Sequence, residues 1–159
     1  MNDKVPMTPR GFELLKDELN RLKTVDRPAN VRDIELAREH GDLSENAEYH
    51  AAKEKQGQLN GRIEYVEDRV ARAQVIEPAG DDEERVRFGM EVVLSDTETG
   101  EEVRYTIVGE DEADASSGLL SVTSPVARAL MGKEVDDEVT VRVPKGTRVF
   151  EVLEVSIPA

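Results

Sequence analysis

Two carboxylates, Asp42 and Glu45, stand three positions apart directly after a glycine in the stretch GDLSENAEYH, residues 41–50. Near a helix N-terminus the macrodipole favours negative charge, so the position suits acidic side chains. Carboxylate oxygens are hard donors that match Mg²⁺, an ion that keeps several waters and takes only one or two protein carboxylates beside phosphate. The pair is therefore half a metal site. It is completed only where a partner supplies phosphates and further carboxylates, the setting of two-metal phosphoryl chemistry. Alone, the chain is expected to catalyse nothing. The same residues also have the N-cap and N3 spacing of a capping box, with Asp in place of Ser or Thr, after a glycine suited to ending a helix. Both readings stand on the residues alone. His40 and His50 flank the pair, but two histidines on different arms of a turn, without cysteine, read as exposed or packing residues rather than zinc ligands.

The elements that must carry the pair follow from periodicity. Thr8 before Pro9 reads as an N-cap with proline in the first helical turn, and Phe12, Leu15, Leu19 and Leu22 recur at spacings of three and four. Pro28 kinks or briefly breaks this helix, and the pattern resumes through Val31, Ile34 and Ala37 to Gly41. Beyond the turn, Leu59, Ile63, Val66, Val70 and Ala73 form a heptad seam. Two seams joined by a short polar turn make an antiparallel helical hairpin. An arm of about 30 residues is roughly 45 Å long at 1.5 Å of rise per residue, more than a compact domain of this size needs. Gly57, Gly61 and the turn itself favour a self-contained hairpin over a dimerising coiled coil, so a monomer is expected.

Near Pro78 the pattern changes. AGDDEE is a charged linker, and after it come short β-rich runs: MEVVLSD, EEVRYTIVG, GLLSVTS, EVTVRV and TRVFEVLEVSI. SPVARALMG reads as one short helix capped by Ser124, with Pro125 next and Gly132 as the stop. The expected fold class is α+β: a long antiparallel coiled-coil hairpin over residues 1–78, then a small, mostly antiparallel sheet with one short helix over residues 79–159.

Charge limits the partners. The 159 residues carry a net charge of −14, which argues against a protein that tracks nucleic-acid phosphates by itself. Residues 1–78 hold 13 Lys and Arg against 16 Asp and Glu, whereas residues 79–159 hold 8 against 19, so the two halves are suited to different surfaces. The sequence has no cysteine, hence no disulfide framework or thiol nucleophile, which fits a reducing compartment. The first residues, MNDKVPMTPR, lack the apolar core of a signal peptide, and no apolar run approaches the roughly 20 residues of a membrane span. A cytoplasmic protein is expected.

The run AREHGDLSENAEYHAAKEKQG, followed by RIEYVEDRVARAQVI, resembles the coiled-coil hairpin of the GreA/GreB family of bacterial transcript cleavage factors, GreA type. The resemblance extends through PMTPRGFELLKDELNRL before it and through IVGEDEAD, SVTSPVARALMGKEVDDEV and FEVLEV after it, nearly the whole chain. It implies an elongation factor whose hairpin enters the secondary channel of RNA polymerase. There Asp42 and Glu45 help hold a second Mg²⁺ and orient the attacking water, so that the polymerase hydrolyses its own backtracked transcript and an arrested complex resumes. The ion is held jointly with the polymerase and is not expected to bind the free protein tightly. The resemblance further implies a basic patch on the nascent RNA 3′ segment, matched by Arg38 and Lys53. It also implies an FKBP-like C-terminal domain that docks on the polymerase through Thr123, Ser124 and Pro125. The family often carries Asp or Asn at the position of Thr123 and Lys at that of Ser44. DNA is met within the elongation complex, with weak or no independent nucleic-acid binding.

Other readings make different demands. A GreA-like factor that blocks the channel and inhibits the polymerase sits poorly with the ordinary D-L-x-E-N tip. A prolyl isomerase or chaperone needs aromatic pocket walls, and the C-terminal half offers only Phe88, Tyr105 and Phe150.

Overall fold

The computed structural model describes residues 3–42, 45–78 and 85–158. The linker AGDDEE, Leu43 and Ser44 lie outside them. Two compact units emerge. One is built from Phe12–Ala73, and the other from Lys4–Gly11 with the chain from Gln74 onward.

The first unit is the helical hairpin. Helix α1 (Pro9–Arg21) runs into a π-helical turn, Leu22–Asp26, and on into α2 (Arg27–Arg38); α3 (Ala47–Arg72) returns. Thr8 is the N-cap expected for α1, accepting from the Gly11 N–H at 3.0 Å. The chain stays helical through Pro28. The Arg27 N–H reaches back five residues to the Leu22 carbonyl, and proline takes an early position in α2, where a missing N–H costs least. The π turn inserts one residue into the seam. Leu15 and Leu22 are buried as expected, but the next fully buried positions are Asn30, Ile34 and Ala37, whereas Val31 is 42% exposed. The seam expected through Val31 is thus displaced by one residue onto Asn30.

Across the hairpin, Ile63, Val66 and Ala52 of α3 are buried. The Asn30 amide donates to the Ala52 carbonyl at 3.0 Å. Arg62 makes two bonds to the Glu18 carboxylate, at 2.6 and 2.8 Å, and Lys23 meets Glu67 at 2.8 Å. Gly57 and Gly61 are exposed, with open space where a Cβ would sit, so close packing is not their role. At 26 residues, α3 is about 39 Å long.

The second unit is a five-stranded sheet in the order β5-β4-β3-β7-β6, formed by β3 (Glu91–Asp96), β4 (Glu102–Val108), β5 (Leu119–Ser121), β6 (Glu138–Val143) and β7 (Gly146–Ser156). All neighbours are antiparallel except the β4–β5 edge, which is parallel. The short helix α4 (Pro125–Leu130) buries Ala127 and Leu130 in a core with Val92, Leu94, Ile107, Val139 and Val152. Two short strands, β1 (Val5–Met7) and β2 (Ala73–Val75), pair with each other.

The domain boundary expected at residue 78 is therefore not where packing divides the chain. The Ile76 N–H donates to the Met7 carbonyl at 2.8 Å, and Gly109 lies so close to Pro6 that a Cβ there would collide with the Pro6 carbonyl oxygen. Glu112, its side chain only 6% exposed, accepts from the Thr8 hydroxyl and from Arg10, the latter at 3.2 Å. The segments either side of the hairpin belong with the sheet. Among the described residues, no helix is long and apolar enough to cross a membrane.

Candidate functional site at the hairpin tip

Helix α2 ends by tightening. The N–H groups of Glu39 and His40 bond back three residues to the Leu36 and Ala37 carbonyls, both at 3.2 Å. Gly41 then takes φ +109°, a backbone state that side chains rarely adopt, and turns the chain outward. Asp42 and Glu45 are both exposed and line one open depression with His40, Asn46, Ala47 and Glu48. The structure thus brings the two predicted carboxylates to one surface.

Neither of them caps α3. The N-cap of α3 is Asn46, in extended conformation, whose side-chain oxygen accepts from the Tyr49 N–H at 3.0 Å, while its carbonyl takes the His50 N–H at 3.1 Å. Its amide nitrogen reaches the other helix and donates to the Ala37 carbonyl at 2.6 Å. A carboxylate can accept at a cap but cannot donate, so the carboxamide is the group that serves both helix ends. Asp42 and Glu45 precede the α3 cap. Asn46 is the residue that sequence reasoning missed. Its signal was an Asn directly before the helix-forming run AEYHAAKEK, outweighed by the D-x-x-E match upstream.

Around this turn, His40 Nδ1 lies 3.6 Å from Glu48 Oε2, between the end of α2 and the first turn of α3. The Arg38 guanidinium lies 6.0 Å from the centre of the Tyr49 ring, and the His50 ring meets Tyr49 edge-on at 5.7 Å between centroids. Lys53 is one helical turn beyond Tyr49 on the same face of α3 and bonds Gln56 at 2.9 Å. Arg38 thus meets the Tyr49 ring from α2, whereas Lys53 bonds along its own helix.

Among the described residues, no three acidic, histidine or cysteine side chains converge to hold a metal ion. Asp42 and Glu45 offer only hard oxygen donors, exposed at the end of the arm. That set fits Mg²⁺ as a shared ligand pair and not as a self-sufficient cage.

In the sheet unit, Thr123, Ser124 and Pro125 form the loop from β5 into α4. Ser124 caps α4, accepting from the Ala127 N–H at 3.3 Å and donating to the Ser121 carbonyl at 2.7 Å. The Thr123 hydroxyl pairs with that of Ser121 at 2.7 Å, and Thr123 and Pro125 are exposed. The loop is rigid at its root and open at its tip.

Comparison with known proteins identifies the group to which this architecture belongs. Residues 5–75 match the family model of the N-terminal part of transcription elongation factors, and residues 81–157 match that of the GreA/GreB C-terminal part. The transcription elongation factor GreA of Phenylobacterium zucineum is 56% identical over 153 residues, 96% of this chain and 98% of that protein. GreA of Alkalilimnicola ehrlichii is likewise 56% identical, over 96% of this chain and 97% of its own length. A solved structure of the transcription factor Gfh1 is 27% identical over 98% of this chain and 99% of that one, with a TM-score of 0.47. On these matches the chain belongs to the GreA/GreB family of transcription elongation factors.

Proposed function

We propose that this chain acts on RNA polymerase, presenting its hairpin tip at the active centre and stimulating the polymerase's own cleavage of backtracked nascent RNA. The observation that carries the reading is the exposed Asp42 and Glu45 pair, gathered on one surface at the end of an arm by a turn whose cap is provided by a different residue.

Asp42 and Glu45 would hold Mg²⁺ jointly with the polymerase, where the ion supplies positive charge to a phosphoryl oxygen and activates water. The chain's own contribution is positional. Its carboxylates accept hydrogen bonds from an attacking water and fix its direction, and no covalent bond forms to the protein. Arg38 and Lys53 bring positive charge to the RNA 3′ segment, one from each helix of the hairpin. Thr123, Ser124 and Pro125 contribute docking from the other unit. The chain thus activates an enzyme without being one.

The test is cleavage of a backtracked elongation complex with and without the protein across a range of Mg²⁺ concentrations. Faster release of the 3′ fragment in its presence supports the reading. Slower release by a protein that competes for the same complex replaces it with channel blocking.

A further inference from the structure

Asn46 makes three hydrogen bonds, one across the turn to α2 and two within the first turn of α3. Its amide nitrogen holds the Ala37 carbonyl of α2, its side-chain oxygen holds the Tyr49 N–H of α3, and its backbone carbonyl accepts from His50. It directly follows Glu45, and the chain between Ala37 and Asn46 contains Asp42. Both ends of the acidic segment are thereby tied to one carboxamide. The same group governs the basic side of the tip, since Ala37 adjoins Arg38 and Tyr49 carries the ring against which Arg38 lies.

We propose that Asn46 is a positioning residue for transcript cleavage, a clasp whose donor bond to Ala37 fixes the acidic pair and the Arg38–Tyr49 contact in one arrangement. The proposal rests on the functional reading above. The clasp needs a group that donates at one end and accepts at the other. Aspartate has the same shape and caps a helix as well as asparagine, but it cannot donate to the Ala37 carbonyl. Asn46→Asp therefore separates the clasp from the cap, whereas Asn46→Ala removes both.

The experiment compares the parent, Asn46→Asp and Asn46→Ala for cleavage of a backtracked complex at saturating factor, with ¹⁵N relaxation of the free proteins. Asn46→Asp is expected to keep the helicity and the half-saturating concentration of the parent. Its maximal cleavage rate falls on the order of 10–100-fold and its half-maximal rate moves to higher Mg²⁺, as expected when liganding groups lose their support. The backbone amides of Asp42 and Glu45 become more mobile, while that of Tyr49 stays ordered. Parental cleavage at parental Mg²⁺ dependence overturns the proposal. So does a fall in rate that tracks lost helicity or lost polymerase binding, which marks a merely structural role. If the parent itself fails to stimulate cleavage, the functional reading falls. The relaxation data then decide the clasp: greater mobility at Asp42 and Glu45 in Asn46→Asp upholds it, and unchanged mobility overturns it.

Discussion

Arg38 and Asp96 show how differently a charge acts when exposed and when enclosed. Arg38 is exposed at the end of α2, so the RNA contact proposed for it would be screened by salt. Arg38→Ala is expected to weaken engagement of the backtracked complex and to flatten the dependence of log affinity on log salt by about 0.7, the share of one single-strand phosphate contact. A salt titration of half-saturating concentration checks this, and parallel slopes for parent and variant contradict it. Asp96, only 4% exposed, accepts from Arg148 and from the Glu98 and Thr99 N–H groups at the turn between β3 and β4. The Arg148 bond, foremost, and the Glu98 N–H hold its carboxyl below the ordinary value of 3.8. The folded state therefore binds this proton less readily than the unfolded state. The resulting stability is present above the unfolded value and is lost as pH falls through the lower folded one. Asp96→Asn is expected to lower the urea midpoint at pH 7, and the gap with the parent to narrow progressively as pH falls below about 4. A gap of equal size at both pH values refutes the linkage. At this scale the sequence is readable for the Ser124 cap, and for the placing of Asp42 and Glu45 on one exposed surface. It misled where two residues competed for one cap: the capping-box spacing pointed to Asp42, but only Asn46 can bond both helix ends.

Among the elements, the hairpin was legible because its apolar spacing is dense, and the sheet because turn residues punctuate five β-rich runs. The π turn was not. Its trace in the sequence is a slip of one residue between Leu22 and the Asn30, Ile34 and Ala37 stripe, hidden because Val31 is the apolar residue and Asn30 the polar one. The buried Asn30 uses its amide on Ala52 but its Oδ1 makes no hydrogen bond. Asn30→Leu is therefore expected to stabilise the hairpin by about 1 kcal/mol, because an unsatisfied acceptor is removed and apolar area is buried. The melting temperature of the variant checks this, and a lowered value would show that the Ala52 bond outweighs both gains.

For the molecule as a whole, composition and packing divide the chain at different places. Charge and turn content change at Pro78, which is where the sequence places the boundary. Packing groups Lys4–Gly11 and Gln74–Pro78 with the sheet, because Glu112 closes on Thr8 and Arg10 and Gly109 admits the Pro6 backbone. A contact between residues about a hundred positions apart leaves no local pattern, so it could not be read in advance. The account assigns chemistry to one unit and docking to the other, and this division is open to direct trial. The decisive measurement is the maximal rate of 3′ RNA release from a backtracked elongation complex with Asp42→Ala and Glu45→Ala, alongside competition of each variant with the parent for the polymerase. The account predicts that stimulated cleavage falls to the unstimulated rate while competition stays within about twofold of the parent, because the missing groups orient water and hold a shared ion and do not dock the protein. Variants that stimulate cleavage at the parental rate would contradict it.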